Sequence, residues 1–332
     1  MKKAFITGIT GQDGSYLAEL LLSKGYEVHG LIHNPSETKN VDSIKDKLTL
    51  HPGDITDGEL LSKIIIEGQF DEVYNLAGMT NVPDSFADPI LATKMTALPP
   101  LFILDAIVKG SKHTKLFQAS SSEMFGNGTE SPQRETSGFH PTNPYGIAKL
   151  FAHHICEVYR GKSVFAASGI LYNHESPRRG EKFVTTKIVR TLAEIKMGKA
   201  EVLELGDIDA MRDWGFAGDY VLAMWEMLQV EKAESYIIAS GATHSARDFV
   251  DASAKSLGIE LTWSGKGVDQ RGVDQNGVVR VKVNPEFFRP SELHIRQGDI
   301  TKITNELGWK SKVLFEELVK MMTDAEMCKL QG

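Results

Sequence analysis

A chain of 332 residues can bury a sizeable core, as one large domain or two smaller ones. With 41% apolar and 24% charged residues it has the composition of an ordinary soluble globular protein, and a formal charge of -7 argues against general binding to nucleic-acid phosphates. The two cysteines, Cys156 and Cys328, offer neither a metal-ligand spacing nor a disulfide framework, which points to a reducing compartment and no metal.

The chain opens at once on a strand-like run, Ala4-Phe5-Ile6, with no signal peptide ahead of it. No apolar run approaches the roughly 18 residues that a membrane span needs. The expectation is a cytoplasmic protein with no membrane partner.

Residues 3–7 lead into Gly8-Ile9-Thr10-Gly11-Gln12-Asp13-Gly14 and then an amphipathic helix with Tyr16, Leu17, Leu20 and Leu21 on one side. Strand, glycine-rich turn and helix form the context of a dinucleotide-binding fingerprint. The glycines let the backbone approach a pyrophosphate, and the helix N-terminus lends it partial positive charge. The Gly-x-x-Gly-x-x-Gly spacing resembles that of the extended short-chain dehydrogenases. The competing reading is a glycine-rich turn that binds nothing.

A second strand is expected at Glu27–Ile32. A residue at its end usually reads the adenosine ribose, acidic for NAD and arginine for NADP. Ile32, His33 and Asn34 are neither, and Lys39 and Lys45 are either phosphate ligands or solvated loop charges. The third strand, Leu48–Leu50, runs into Gly53-Asp54-Ile55-Thr56-Asp57, with a helix over 57–67 and a carboxylate as its N-cap. An apolar strand then ends in Asn75-Leu76-Ala77-Gly78, one long helix is expected over roughly 92–109, and the strand Leu116–Ala119 ends in Ser120-Ser121-Ser122-Glu123-Met124-Phe125-Gly126. Polar groups at the C-terminal end of a parallel strand are where open α/β sheets put their ligands, and they are costly to bury without partners. An exposed serine-rich turn is the alternative. The alternation predicts a doubly wound parallel sheet.

Asn143 reads as an N-cap and Pro144 as the first residue of a helix that runs on through Leu150, Phe151, Ile155 and Val158. Residues four apart share one helix face, which brings the Lys149 ammonium close to the Tyr145 phenol. A nearby cation favours phenolate and makes the tyrosine a candidate base. Many surface helices carry Tyr-x-x-x-Lys by chance, so the pair gains weight only from its surroundings.

In the second half, 164–171 reads as a strand and Tyr172–Gly180 as a polar loop. Two arginines there suit anion recognition. Trp214 and Trp225 read as packing residues. Residues 264–277 contain Gly-Val-Asp-Gln twice and read as a hairpin-like loop, and 313–328 as an amphipathic helix burying Leu314, Leu318 and Met321 or Met322.

Taken together, GITGQDGSYLAELLL, QASSSEMFG, NPYGIAKLFA, NHESPRRGEKFVTTKI, DAMRDWGFAGDYVLAMW and EFFRPSEL resemble the GDP-mannose 4,6-dehydratase family of extended short-chain dehydrogenase/reductases, over almost the whole length. The resemblance implies a Rossmann-type domain at 1–170 and a smaller α/β lobe at 171–332 that mainly binds substrate, some of its segments returning to the first domain. It implies NADP or NAD, tightly bound and regenerated each turnover, a GDP-sugar substrate and a homo-oligomer, dimer or tetramer. Catalysis would fall to Ser121, Glu123, Tyr145 and Lys149. Cofactor would meet Gly8, Thr10, Gly11, Gln12, Asp13, Gly14, His33, Asp54, Ile55, Leu76, Ala77, Gly78, Tyr145, Lys149, His174 and Arg179. Substrate would meet Ser85, Asn173, Val184, Lys187, Arg212, Arg289 and Glu292. The sequence departs from the family at His33–Glu37, where an arginine- and serine-rich run is usual, at Ala77–Val82 and at Asp207. A GDP-N-acetylhexosamine or GDP-heptose is therefore an alternative substrate. An epimerase or 4-dehydrogenase on the same fold and a cofactor-binding regulator without catalysis are alternative functions.

Overall fold

The computed structural model describes residues 1–287 and 295–331. Strand β1 (Lys3–Thr7) ends at Gly8, whose positive φ of 72° suits a residue without a side chain. Helix α1 (Gln12–Ser23) follows, then β2 (Glu27–Ile32), a short helical segment (Lys39–Lys47) and β3 (Leu48–Pro52). Helix α2 (Gly58–Gly68) is capped by the Asp57 carboxylate, which accepts from the Leu60 N–H at 2.9 Å. After β4 (Glu72–Asn75) come α3 (Val82–Ala87), α4 (Pro89–Thr96) and α5 (Leu98–Gly110). The single helix expected over 92–109 is two helices. Pro99 and Pro100 supply no N–H to the preceding turn, so the chain breaks at Ala97 and restarts.

Strand β5 (Lys115–Ser121), α6 (Pro144–Arg160) and β6 (Ala166–Leu171) complete the first half. In the second half the order is β7 (Asn173–Glu175), α7 (Val184–Lys196), β8 (Leu203–Leu205), β9 (Met211–Phe216), α8 (Ala217–Gln229), β10 (Ser235–Ile238), β11 (Thr243–Ser245), α9 (Ala246–Ser256), β12 (Thr262–Ser264), β13 (Arg271–Val273), β14 (Val279–Val283), β15 (Ile295–Arg296), α10 (Thr301–Leu307) and α11 (Phe315–Gln331). The expected polar loop after residue 171 thus begins with a short strand.

Two compact units divide the chain. The first comprises Met1–Tyr172, Ala217–Ile238 and Asp299–Lys310. It holds a seven-stranded parallel sheet in the order β10-β6-β5-β4-β1-β2-β3. Alternation along each strand feeds two cores. Ala4 and Ile6 join Val28, Tyr74 and Phe117 under α1 and α8, while Phe5 joins Leu31, Val73 and Leu116 under α2, α5 and α6. The doubly wound sheet read from the sequence is the observed fold. Chain order reverses between β1 and β4, and such a switch point opens a crevice beyond the strand ends.

Pro89–Gly110 is, by length and composition, apolar enough to cross a membrane, contrary to the sequence reading. The run is two helices, and Ile103, Leu104, Ala106 and Ile107 of α5 are buried in the core with Leu61, Ile64 and Ile65 of α2. Its apolar residues are those of a helix packed on a sheet.

The second unit comprises Asn173–Phe216, Ala239–Gly298 and Ser311–Gly332. Strand β9 pairs with β7, β11 and β15, and a separate sheet runs β12-β13-β14-β8. The loop expected at 264–277 spans β13 and the turn that joins it to β14, where the Asp274 carboxylate accepts from the N–H groups of Asn276 and Val278. Helices α7, α9 and α11 pack around Trp214, Phe249, Val250, Leu318 and Met322. Leu314 is 64% exposed because α11 begins after it.

Candidate active site

The glycine-rich turn is tight enough to exclude side chains. A Cβ on Gly14 would stand 2.2 Å from the Gly8 carbonyl oxygen, and one on Gly8 would stand 3.0 Å from the Ala77 nitrogen. Gly11 occupies the N-cap of α1, and Gln12 and Asp13 form its first turn with a side-chain hydrogen bond of 3.1 Å between them. The N-terminal N–H groups of α1 and their partial positive charge therefore border a turn of bare backbone. Asn40 donates to the Thr10 carbonyl at 2.9 Å and ties the Lys39–Lys47 segment to this turn.

A buried polar ladder leads from the turn across the strand ends. Thr7 Oγ1 accepts from the Leu76 and Ala77 N–H groups, each at 3.1 Å, and donates to Asn75 Oδ1 at 2.8 Å. Asn75 Nδ2 donates to Gln118 Oε1 at 2.8 Å, and Gln118 Nε2 donates to the Ala119 carbonyl at 2.9 Å. Lys149 Nζ donates to that same carbonyl at 2.7 Å. Sequence inspection found the end of the ladder at Lys149 but not Thr7 or Gln118, because parallel pairing brings them together from distant segments.

Helix α6 starts as the sequence predicts. Asn143 Oδ1 accepts from the Gly146 N–H at 2.8 Å, and Pro144 is the first helical residue. The buried face is not the one richest in large apolar residues. Tyr145, Gly146, Ala148, Lys149, Ala152, His153 and Cys156 are inward, while Phe151 and Val158 are 43% and 53% exposed. Lys149 Nζ lies 5.7 Å from the centre of the Tyr145 ring, and both residues are buried. Burial brings the Lys149 ammonium down to about 8, with the Asp13 carboxylate working in the opposite direction.

The strand end and the helix start meet at Glu123. Ser121 caps a single helical turn, Ser122–Met124, and its Oγ accepts from the Glu123 N–H at 3.2 Å. Asn143 Nδ2 donates to Glu123 Oε2 at 2.9 Å. A Cβ on Gly146 would stand 2.7 Å from the Glu123 carbonyl oxygen, so the turn rests on the backbone of α6. The sequence offered Asn143 only as a helix cap; its second bond, to Glu123, spans 20 residues.

The other candidates of the first unit divide. His33 Nδ1 lies 3.6 Å from Asp54 Oδ2 at the ends of β2 and β3. The Thr56 N–H and hydroxyl hold the Asp54 carboxyl below the usual range, ahead of the His33 charge. Ile55 is buried. Ser85, expected at the substrate, is fully buried in α3 and donates to the Val82 carbonyl at 2.7 Å, so its hydroxyl is turned into the helix. Asn81, in the block that departs from the family, caps α3 through the Asp84 N–H.

In the second unit, Asn173 and His174 lie on β7, where they pair with Trp214 and Gly215 of β9, and Arg212 stands on β9 with Nη1 donating to the Met211 carbonyl at 2.8 Å. Val184 is exposed at the start of α7, and Lys187 Nζ lies 4.6 Å from the centre of the Phe287 ring. Arg179, expected at the cofactor, has Nε 3.0 Å from Glu175 Oε2 and its guanidinium 3.5 Å from the centre of the Phe183 ring. Glu175 is buried and also accepts from Thr185 Oγ1 at 2.7 Å, a partnership not evident in the sequence. Asp213 is pushed up to about 6 by burial, although the Ser240 N–H and hydroxyl and the Gly241 N–H all donate to it. Arg289 and Glu292 lie outside the described residues.

Comparison with known proteins places the chain in a family. The family model described as GDP-mannose 4,6 dehydratase matches residues 5–322. The GDP-mannose 4,6 dehydratase of Drosophila melanogaster is 48% identical over 341 residues, covering 98% of this chain and 86% of that one. Among solved structures, the dTDP-glucose 4,6-dehydratase of Bacillus anthracis in complex with NAD superposes with a TM-score of 0.81 at 20% identity, covering 100% and 99% of the two chains. RMD from Pseudomonas aeruginosa complexed with NADPH gives a TM-score of 0.80 at 23% identity, covering 99% and 100%. At these identities the structural likeness speaks to the fold alone. The match of the family model over nearly the full length, together with the 48% identity, shows that the chain belongs to the GDP-mannose 4,6-dehydratase family.

Proposed function

We propose that this chain converts GDP-mannose, or a GDP-sugar of that type, to its 4-keto-6-deoxy derivative, with NADP or NAD as resident cofactor. The observation that carries the reading is a carboxylate, Glu123, hydrogen-bonded to the N-cap of the helix that carries Tyr145 and Lys149. An oxidation centre needs the tyrosine and lysine alone. A carboxylate built into the same helix start supplies the second acid–base group that an elimination needs.

The first unit fits a dinucleotide. Gly8, Thr10, Gly11, Gln12, Asp13 and Gly14 form a turn that side chains would fill, at a helix N-terminus suited to a diphosphate. Asp54 and Ile55 would face the adenine side, and Leu76, Ala77, Gly78 and Lys149 the nicotinamide side. When bound, the nicotinamide accepts hydride from C4 of the sugar and returns it to C6.

The chain's own residues then divide the work. Tyr145 takes the proton of the C4 hydroxyl, and the Lys149 ammonium favours the phenolate. Ser121 holds the C4 oxygen. Once C4 is a ketone, the C5 hydrogen is acidic. Glu123 removes it, the C5–C6 double bond forms, the C6–O bond breaks, and Glu123 gives its proton to the departing hydroxyl as water; with hydride back on C6, C5 takes a proton from solvent, offset by the one Tyr145 took from the C4 hydroxyl and releases. Asn173, Val184, Lys187 and Arg212 of the second unit, with Arg289 and Glu292, are proposed ligands of the nucleotide portion.

The test is incubation with a panel of GDP-sugars, GDP-mannose included, followed by mass spectrometry. The expected product has lost one water, with no net reduction of cofactor. Glu123→Gln should abolish that loss yet still oxidise C4. Turnover that Glu123→Gln leaves near the wild-type level would replace the dehydratase with an epimerase or 4-dehydrogenase.

A further inference from the structure

We propose that Gln118 is a positioning residue for oxidation at C4, acting through Lys149: it shares the Ala119 carbonyl with the Lys149 ammonium and so limits how far that carbonyl draws the ammonium from Tyr145. The inference rests on the dehydratase reading above, in which Tyr145 and Lys149 serve the oxidation, and adds the residue that sets the lysine's place.

The shared carbonyl lies where the sheet runs out. The Lys115 N–H donates to the Asp71 carbonyl, on the β4 side of β5, and residues two apart along a strand turn their backbone groups to the same neighbour. Ala119 therefore faces the β4 side as well. Strand β4 ends at Asn75, which pairs with Gln118, so no residue of β4 stands opposite Ala119. Two side chains fill the gap, Gln118 Nε2 at 2.9 Å and Lys149 Nζ at 2.7 Å.

The direction of the Gln118 amide is fixed from a distance. Thr7 Oγ1 accepts from the Leu76 and Ala77 N–H groups, which fills both its lone pairs. Its hydrogen must then be donated, to Asn75 Oδ1. Asn75 thus presents its NH2 to Gln118 Oε1, and Gln118 presents its own NH2 to the carbonyl. Thr7, Asn75 and Gln118 are all buried. Reversing Gln118 would set its NH2 against that of Asn75 and its oxygen against the Ala119 oxygen.

A carbonyl that accepts from an amide holds an ammonium less tightly, because the partial positive charge of the NH2 repels a cation on the same oxygen. Lys149 Nζ is thereby left near Tyr145, 5.7 Å from the centre of its ring. The charge acting on Lys149 from another helix is Asp13 of α1, which favours the ammonium against burial. From β4 and β5 the ladder brings neutral amides, so substituting Gln118 changes the dipole at that one oxygen.

Two substitutions test this. Gln118→Met removes the amide at nearly the same length. Gln118→Glu keeps an acceptor for Asn75 and turns a carboxylate toward the lysine. The full chain, carrying isotope-labelled lysine, is titrated by NMR in the absence of GDP-sugar, and the Lys149 signal is identified by its loss in Lys149→Arg. The wild-type midpoint is expected near 8. It should rise by about half a unit in Gln118→Met, the scale of one neutral hydrogen bond. In Gln118→Glu it should rise by about one unit or more, since an opposite charge favours the ammonium. In parallel, formation of reduced cofactor on a GDP-sugar at pH 7 should slow about tenfold in Gln118→Met, as the ammonium withdraws from Tyr145, and its alkaline limb should move up with the midpoint. A merely structural role would slow the reaction and leave midpoint and limb in place. That result in Gln118→Met, or in Gln118→Glu if the methionine chain fails to fold, would overturn the inference while leaving the dehydratase reading intact, as would wild-type oxidation in the folded variant. A wild-type chain that oxidises no GDP-sugar would overturn both.

Discussion

Ser120 Oγ and His153 Nδ1 lie 2.9 Å apart, both buried, between the end of β5 and the middle of α6. Ser120 adjoins Ser121 on the strand, and His153 stands four residues beyond Lys149 on the helix. The bond therefore clamps the segment bearing the candidate oxygen-binding serine to the helix bearing the candidate base. His153 Nε2 lies 3.5 Å from Glu157 Oε1, and Glu157 Oε2 is 2.7 Å from His154 Nδ1. Hydrogen bonding from His153, followed by His154, holds the Glu157 carboxyl down to about 2.

Replacing His153 with leucine should leave the Ser120 hydroxyl buried without its partner. The expected cost is about 1–3 kcal/mol of stability in urea denaturation. Turnover should fall further than stability alone explains, because Ser121 and Tyr145 lose their common clamp. Stability and turnover both at wild-type level would show that the clamp is incidental.

The charge of Lys149 sets an alkaline limit. Burial disfavours the ammonium and lowers it from 10.5 to about 8, with Asp13 partly opposing. The cation beside Tyr145 is present below about 8 and lost above it. In the free enzyme kcat/KM for C4 oxidation should therefore fall above pH 8, about tenfold per unit. Lys149→Arg keeps its charge and should move that limb upward. The sign for stability is the reverse. A depressed lysine weakens the fold while it is charged, fully so below about 8, and the penalty is relieved as pH rises from 8 toward 10.5. Lys149→Met should be the more stable protein at pH 7, its advantage shrinking above pH 8; the Ala119 carbonyl still accepts from Gln118 in that variant. A wild-type oxidation rate that is flat through pH 10 would remove the role given to the ammonium.

Local rules made part of this molecule legible. Asn143-Pro144 announced α6, and a carboxylate cap was foreseen for α2, because capping is decided within a few residues. Glu27–Ile32 was found to the residue because it follows the first helix directly and carries buried apolar residues at Val28, Leu31 and Ile32. What depends on distant partners was hidden. Asn75 and Gln118 meet through the register of β4 and β5, and the second bond of Asn143 depends on where β5 ends. The apolar residues of α6 misled for a related reason. The face packed on the sheet carries small and polar side chains, so Phe151 and Val158 are left at the surface. The motifs thus marked the segments of the candidate site, and the sheet supplied the geometry that joins them.

Gly146 offers a test of that geometry in which two effects oppose. Alanine is the better helix former by about 1 kcal/mol, so Gly146→Ala on an open surface would stabilise α6. Here the new methyl would lie 2.7 Å from the Glu123 carbonyl oxygen and 3.2 Å from Pro141 Cβ. A backbone oxygen pinned by neighbouring hydrogen bonds cannot step aside as a flexible side chain can. Overpacking of this kind costs about 1–3 kcal/mol, which exceeds the helix gain over most of its range. The expected result is a less stable protein in urea denaturation, with the Ser122–Met124 turn displaced from α6. Elimination should be slowed more than C4 oxidation, because Glu123 moves and Tyr145 stays on its helix. An alanine variant that is more stable than wild type and dehydrates at the wild-type rate would show that the turn and the helix do not press on each other.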